Sequence, residues 1–300
     1  MLCAALDLTQ LRGALALAAA TAVVVLHRKI WSRLTHWRGG PKATTPYAPL
    51  GSLPAVRLAV AGDVGDSDSR LADTAAAVAA LAARAPYDGL VLLGDNVYPA
   101  GDPTHLADTV FRPFAPLLDA GTPLLAVLGN HDVKRGRALA QVEALGMPGR
   151  WWARRIGDVA IVGLDSTRID HPDQRAFLDE ALAADATWKV VLAHHPPYSA
   201  GYQGSHRATR RLVAPLAARH GVQLVLSGHD HDYQRSHPIE GTTYVVTGAA
   251  AVKRLTGTRS FTAASFSAHH FVDLSFTADR LVLRAITADL QIADEATIVP

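Results

Sequence analysis

From Val56 onward, short apolar runs alternate with helical patterns. Six runs read as strands: VRLAVA (Val56–Ala61), GLVLLG (Gly89–Gly94), LLAVLG (Leu124–Gly129), VAIVGL (Val159–Leu164), WKVVLA (Trp188–Ala193) and QLVLSG (Gln223–Gly228). Each is β-branched or Leu-rich and largely apolar, the pattern of strands buried on both faces. Between them, helical patterns cover Arg70–Ala83, His105–Leu118, Gly136–Leu145, Asp173–Leu182 and Arg207–Arg219. Strand–helix alternation predicts an α/β architecture. The tail changes character: TTYVVTG, HHFVDLSF and RLVLRAI follow with little helix between them, which predicts an antiparallel addition. No internal repeat is visible.

Ahead of this domain, Gly13–Leu26 (GALALAAATAVVVL) carries no charge. As a helix it would span roughly 21 Å at ~1.5 Å per residue, short of a ~30 Å hydrocarbon core. Leu11, Ile30 and Trp31 close most of that gap, and the flank HRKIWSRLTHWRGG adds positive charge and two tryptophans suited to a membrane interface. Residues 1–38 are therefore read as a single-pass membrane anchor, with a cleaved signal peptide and an Ala-rich soluble helix as alternatives. Residues 39–54 (GGPKATTPYAPLGSLP) read as a linker, and residues 55–300 as the main domain. Positive charge after the apolar run favours a cytoplasmic side for that domain.

Composition narrows the classes. A chain of 300 residues, 49% hydrophobic and 19% charged, suffices for one large globular domain with an appendage. The net charge of +2 is uneven. Arg12, Arg28, Lys29, Arg33, Arg38 and Lys42 face only Asp7 in the first 55 residues, so the main domain is nearly neutral. That distribution argues against a nucleic-acid partner. The single cysteine, Cys3, excludes an internal disulfide framework and a cysteine-rich zinc site.

Five of the apolar runs end in a polar cluster: Gly62-Asp63-Val64-Gly65, Gly94-Asp95-Asn96-Val97-Tyr98, Gly129-Asn130-His131-Asp132, His194-His195-Pro196-Pro197 and Gly228-His229-Asp230-His231-Asp232-Tyr233. Ligands of open α/β sheets bind beyond the carboxyl ends of the strands, so five such ends predict one site. Taken singly, each cluster has a plain structural reading as a turn, a helix cap or a loop hydrogen-bonding pair. Together they offer carboxylate, amide, phenol and imidazole without thiolate, a donor set suited to Fe, Mn or Zn. Seven candidate ligands are too many for one ion. Two ions sharing a bridging carboxylate would use them all and suit phosphate-ester hydrolysis.

This ordered motif set resembles the calcineurin-like metallophosphoesterase superfamily. Within it, Tyr98 in the second motif and the absence of a histidine after Asp63 resemble the small purple acid phosphatases of the tartrate-resistant type. GDNVY and GHDHDYQR are particularly close to the family patterns. The resemblance covers roughly Val56 to Ala250. It implies a four-layer α/β/β/α sandwich of two mixed sheets flanked by helices. It also implies one metal on Asp63, Asp95, Tyr98 and His231, and a second on the bridging Asp95 with Asn130, His194 and His229. The metals implied are Fe(III) with Fe(II), Zn or Mn. The implied reaction is phosphomonoester hydrolysis by in-line attack of a hydroxide held by the metals, with His131 beside the substrate phosphate. His195 is a further catalytic candidate, and Tyr202, His206 and Arg207 are substrate-side candidates. Asp165 suits a turn or cap, Asp132 suits orientation of a neighbour, and Tyr233 and Arg235 suit packing or pairing beneath the site. His237, His269 and His270 read as core or surface histidines. The substrate would be a phosphorylated small molecule or lipid. A phosphodiesterase or nucleotide/phospholipid hydrolase, and a membrane-tethered binding protein without turnover, are the competing readings.

Overall fold

The computed structural model describes residues 39–41, 43–50, 54–67 and 69–300. The apolar segment read as an anchor lies outside them. No helix among the described residues is long and apolar enough to cross a membrane.

Two mixed sheets carry the chain. The first has the order β1 (Thr45–Pro46), β14 (Gln291–Ile298), β13 (Leu281–Thr287), β12 (His270–Phe276), β2 (Val56–Ala61), β3 (Gly89–Leu92), β4 (Leu124–Ala126). The second has the order β11 (Thr262–Phe266), β9 (Tyr233–Ser236), β10 (Thr243–Thr247), β8 (Leu224–Ser227), β7 (Trp188–Ala193), β6 (Val159–Leu164), β5 (Trp152–Ile156). β2, β3 and β4 run parallel, as do β6, β7, β8 and β10. Of the three tail runs, HHFVDLSF and RLVLRAI form β12 and β13 and add to the first sheet antiparallel, as expected, with β14 beyond them; TTYVVTG instead forms β10 of the second sheet, parallel to β8 and antiparallel to β9.

The apolar runs alternate in what they touch. On β7, Val190 and Leu192 join the core shared with the first sheet, which includes Leu58, Leu90 and Leu92. Val191 and Ala193 instead meet α4 (Pro172–Leu182) and α5 (Arg207–His220), in a second cluster with Leu178, Leu212 and Leu216. Both faces of this strand are buried from Val190 to Ala193, which explains that unbroken apolar run. α1 (Ser69–Ala82) contributes Leu71, Ala75, Val78 and Leu81 to the core of the first sheet.

The chain departs from the sequence reading in several places. His105–Leu118 is not one helix but a 3-10 turn (Pro103–His105), a π-helical turn (Ala107–Phe111) and the short α2 (Ala115–Leu118). Pro113 has no N–H to give, and Arg112 N instead reaches back to Ala107 O at 2.9 Å. Strands β5, β9, β11 and β14 have no continuous apolar run to mark them: WARRI, YQRS and QIADEATI carry charge, and TAASF is made mostly of small residues. β5, β11 and β14 lie at or next to sheet edges, where burial is partial. Within the segment read as a linker, Thr45 and Pro46 pair with Ile292 and Gln291.

Register brings the motifs level. Ala61 pairs with Leu92, and Leu92 with Ala126, so β2, β3 and β4 end side by side. Leu192 pairs with Leu226 in the other sheet. The polar residues that follow each strand therefore emerge at one end.

Candidate active site

Three of the emerging residues hold backbone that side-chain-bearing residues rarely adopt: Asp63 (φ 58°), Asp95 (φ 52°) and His229 (φ 70°). Such conformations cost of order 1–3 kcal/mol each and persist only where the surroundings over-determine them. Here hydrogen bonds between motifs do so. Asp63 N donates to Gly94 O (3.1 Å), His229 N donates to Asp63 Oδ2 (2.8 Å), and His131 N donates to Asp95 Oδ1 (2.8 Å). Two motif glycines exist because the carboxylates need their space. A Cβ on Gly129 would sit 2.2 Å from Asp95 Oδ1, and one on Gly228 would sit 2.4 Å from Asp63 Oδ2.

The side chains form two overlapping groups. In the first, the Tyr98 hydroxyl lies 3.0 Å from Asp63 Oδ1 and 3.1 Å from His231 Nε2, and His231 Nε2 lies 3.4 Å from Asp63 Oδ1. In the second, His194 Nε2 lies 3.1 Å from Asn130 Oδ1, 3.2 Å from His229 Nδ1 and 3.5 Å from Asp95 Oδ1. Candidate ligand atoms of Asp63, Asp95 and His194 all fall within 4.8 Å of one another, as do those of His194, His195 and His229. All seven residues expected as ligands from the sequence are thus in one place.

The electrostatics call for positive charge. Asp63 and Asp95 are buried side by side. Burial disfavours charge on His194, yet Asp95 and Asp63 together outweigh it and hold its pKa above the usual imidazole value. Burial would also raise Asp63, but the His231 hydrogen bond and the neighbouring histidines hold it below the usual carboxylate range. His194 Nδ1 donates to Leu93 O at 2.8 Å, so in the neutral ring Nε2 presents a lone pair to Asn130 Oδ1 and His229 Nδ1. Lone pairs converging on two buried carboxylates are what a pair of cations would satisfy, so the residues fit the expected metals. The Tyr98 phenol is pushed well up by burial, Asp63 and Asp95, so it keeps its proton unless a strongly polarising cation displaces it.

Around this centre the other candidates separate. His131 lies beside it, with Nε2 3.9 Å from Asp95 Oδ2 and Nδ1 donating to Pro99 O at 2.7 Å. His195 packs its ring 4.5 Å from that of His229 and 4.8 Å from that of His206. Burial, reinforced by His194 and His229, keeps it neutral. His206 also caps α5, its Nδ1 accepting from Thr209 N at 3.3 Å. Tyr202 is 44% exposed, with the Arg254 guanidinium 5.4 Å from its ring centroid. A cleft of about 600 Å³ opens beside Asn130, His195 and His206, and Ser166, Thr167 and Arg168 line its other wall.

The supporting residues have definite tasks. Asp132 accepts from Asn96 N, Val97 N and Gly129 N, locking the second and third motifs together. Asp165 accepts from Thr167 N as the cap of a 3-10 turn and pairs with Arg150. Tyr233 and Arg235 both donate to Asp294 of β14. Sequence reasoning missed two neighbours of the site. Ser166 Oγ accepts from His195 N and meets His195 Nδ1 at 2.8 Å, and Lys134 lies against His131. Position three residues after His131 was the available signal for Lys134.

Two stacked sheets with carboxylate and imidazole groups at the shared ends of their parallel strands define a class of α/β metal-site proteins. The family model for calcineurin-like phosphoesterases matches residues 56–233, and the chain belongs to that family. Among curated proteins it is similar to purple acid phosphatase 3 of Arabidopsis thaliana, 28% identical over 57% of this chain and 56% of the relative. It is also similar to human tartrate-resistant acid phosphatase type 5, 26% identical over 66% of this chain and 74% of the relative. The chain spans less than two thirds of the length of the plant relatives (56% and 61% for two of them). Among solved structures, purple acid phosphatase PPD1 from yellow lupin (Lupinus luteus) superposes with a TM-score of 0.71 at 20% identity, over 85% of this chain and 55% of that one. GAP50, the anchor in the inner membrane complex of Plasmodium, superposes with a TM-score of 0.72 at 17% identity, over 81% and 88%. At these identities the superpositions speak for the fold.

Proposed function

We propose that this chain is a phosphatase that hydrolyses phosphomonoesters at a site for two metal ions. The observation that carries this reading is the meeting of Asp63, Asp95 and His194 donor atoms within 4.8 Å in a buried place, with candidate donors on both sides. In this reading Asp63, Tyr98 and His231 would hold one cation and Asn130, His194 and His229 the other, with Asp95 the ligand they would share. When bound, such ions lower the pKa of water and neutralise phosphoryl charge. The chain's own residues do the rest. Asp63, held by His229 N, and Asp95, held by His131 N, keep their carboxylates oriented. His131, whose Nδ1–H is held by Pro99 O, donates from Nε2 to a phosphoryl oxygen when its ring carries both protons, and neutral His195 faces the cleft that receives the leaving group.

Iron with iron, zinc or manganese is the metal pair proposed, on the strength of the phenol. A phosphodiesterase on the same site is the nearest rival. A non-catalytic tether is the other. The complete set of ligand-type residues here favours turnover. Residues 1–38 are proposed as the membrane tether, tested by whether their deletion frees the protein from membranes without detergent.

The deciding experiment is turnover of nitrophenyl phosphate and bis(nitrophenyl) phosphate by the metal-reconstituted chain across acidic to neutral pH. Monoester hydrolysis strongest in acid supports the proposal. Diester preference near neutrality transfers the site to the diesterases, and no turnover with both metals bound leaves the tether.

A further inference from the structure

We propose that Lys134 is a substrate-phosphate-binding residue that favours dianionic monoesters over monoanionic diesters, an inference that rests on the phosphatase reading above. Lys134 opens a 3-10 turn, Lys134–Gly136, directly after the third motif. The stretch from His131 through this turn to the helix α3 (Ala138–Ala144) is fastened to the loop after Tyr98 at every residue from 99 to 102. Pro99 O accepts from His131 Nδ1 (2.7 Å), Ala100 O from Arg137 Nη1 (3.0 Å), Gly101 O from Gln141 Nε2 (3.0 Å), and Asp102 Oδ2 from Arg137 Nη2 (2.7 Å). The lysine therefore springs from a pinned support.

Its ammonium reaches 3.0 Å from His131 Nδ1, 3.3 Å from His131 Nε2 and 3.3 Å from Pro99 O. Pro99 O already has a shorter bond from His131, so the lysine is not needed to satisfy it. Among the described residues, no carboxylate lies within ion-pair reach of Lys134, although acidic side chains pair with the neighbouring Arg137 and with Arg112. Lys134 thus brings an exposed cation with unused donors to the ring nitrogen that faces Asp95. The two nitrogens are 3.3 Å apart, so a phosphoryl group seated beside Nε2 also comes within reach of the ammonium. A lysine binds such a group as a point charge, so its contribution scales with the charge of the ester. A monoester dianion gains more than a diester monoanion.

The test compares the metal-reconstituted full chain with Lys134→Ala, Lys134→Gln and Lys134→Arg. Readouts are kcat/KM on nitrophenyl phosphate and bis(nitrophenyl) phosphate, and the affinity for inorganic phosphate by calorimetry. Ala and Gln should lose roughly tenfold on the monoester and on phosphate, shrinking at high salt, with the diester changed by no more than about twofold. Arg should recover most of the loss. Equal losses on both esters would reduce Lys134 to a prop for His131, and unchanged phosphate affinity would likewise overturn the proposal. If the wild type hydrolyses neither ester, the phosphatase reading fails on its own. Phosphate binding then still judges Lys134: tighter binding to wild type than to Lys134→Ala sustains it, and equal binding ends it.

Discussion

His194, at the end of β7, donates its Nδ1–H to the carbonyl oxygen of Leu93 just past β3, 2.8 Å away, so one imidazole joins the two sheets where their motifs meet. The bond fixes which nitrogen is free for a cation, and it satisfies a buried carbonyl. His194→Ala therefore has two separate effects. Metal content should fall, and the metal-free protein should lose about 1–3 kcal/mol because Leu93 O is left without a partner. His229→Ala should also lower metal content, but its ring serves no buried carbonyl, so the metal-free protein should lose less. Metal analysis with urea denaturation of both metal-free variants checks this. Equal destabilisation by the two substitutions would contradict the assigned role of the Leu93 bond.

The Tyr98 phenol offers an optical test. Burial and the carboxylates of Asp63 and Asp95 keep it protonated without a cation. Loading with trivalent iron should displace that proton and produce a visible phenolate-to-iron band. Tyr98→Phe should abolish the band and weaken iron binding by at least roughly 10–100-fold, the range found when residues that only support a metal's ligands are removed. A spectrum identical to wild type would sink the iron–tyrosinate assignment.

Much of this site was legible because its strands are buried on both faces. Val56–Ala61, Val159–Leu164 and Trp188–Ala193 begin and end where their apolar runs do, and each gives way abruptly to polar residues. The helix Arg207–His220 was legible too, ending at Gly221 in the left-handed conformation. What stayed hidden depends on long-range partners. YQRS looks like loop until Tyr233 and Arg235 find Asp294, which is 61 and 59 residues away. Lys134 looks like a solvated surface lysine until the loop after Tyr98 folds against it. The His105–Leu118 pattern carried an apolar period, but Pro113 denied it the hydrogen bond that a continuous helix needs.

The hidden pairing under β9 carries its own prediction. Asp294 accepts from Tyr233 Oη and Arg235 Nε, both at 2.7 Å, and from Arg235 Nη2 at 2.9 Å. Arg235 and Asp294 are 18% and 11% exposed, so each depends on the other for its charge. Asp294→Ala leaves a largely buried guanidinium unpaired and should cost about 3 kcal/mol, the lower end for breaking a buried pair. Because Tyr233 follows the last metal motif, metal affinity should weaken as well. Chemical denaturation and metal titration together check this, and a change under about 0.5 kcal/mol, the usual range for a surface substitution, would remove Asp294 from the support of the site.

Acid stability turns on a histidine outside the site. His270 is fully buried on β12, bonded to Thr247 Oγ1 (2.9 Å) and through Nδ1 to Ala268 O (2.9 Å). Burial lowers its pKa to about 4, only partly offset by the Ala268 bond and reinforced by His269. The unfolded chain would protonate it near the ordinary value of about 6.5. A depressed folded pKa contributes stability that is full above 6.5 and is lost as pH falls through 4, about 3 kcal/mol in all. Urea midpoints measured from neutral pH down to about 4 should therefore fall more steeply for wild type than for His270→Gln, which has no proton to take up. Parallel curves would show that the folded protein protonates His270 as readily as the unfolded chain does. The comparison also bears on acid phosphatase assays, because a decline in turnover below pH 6 that His270→Gln reduces belongs to the fold and not to the chemistry at Asp95.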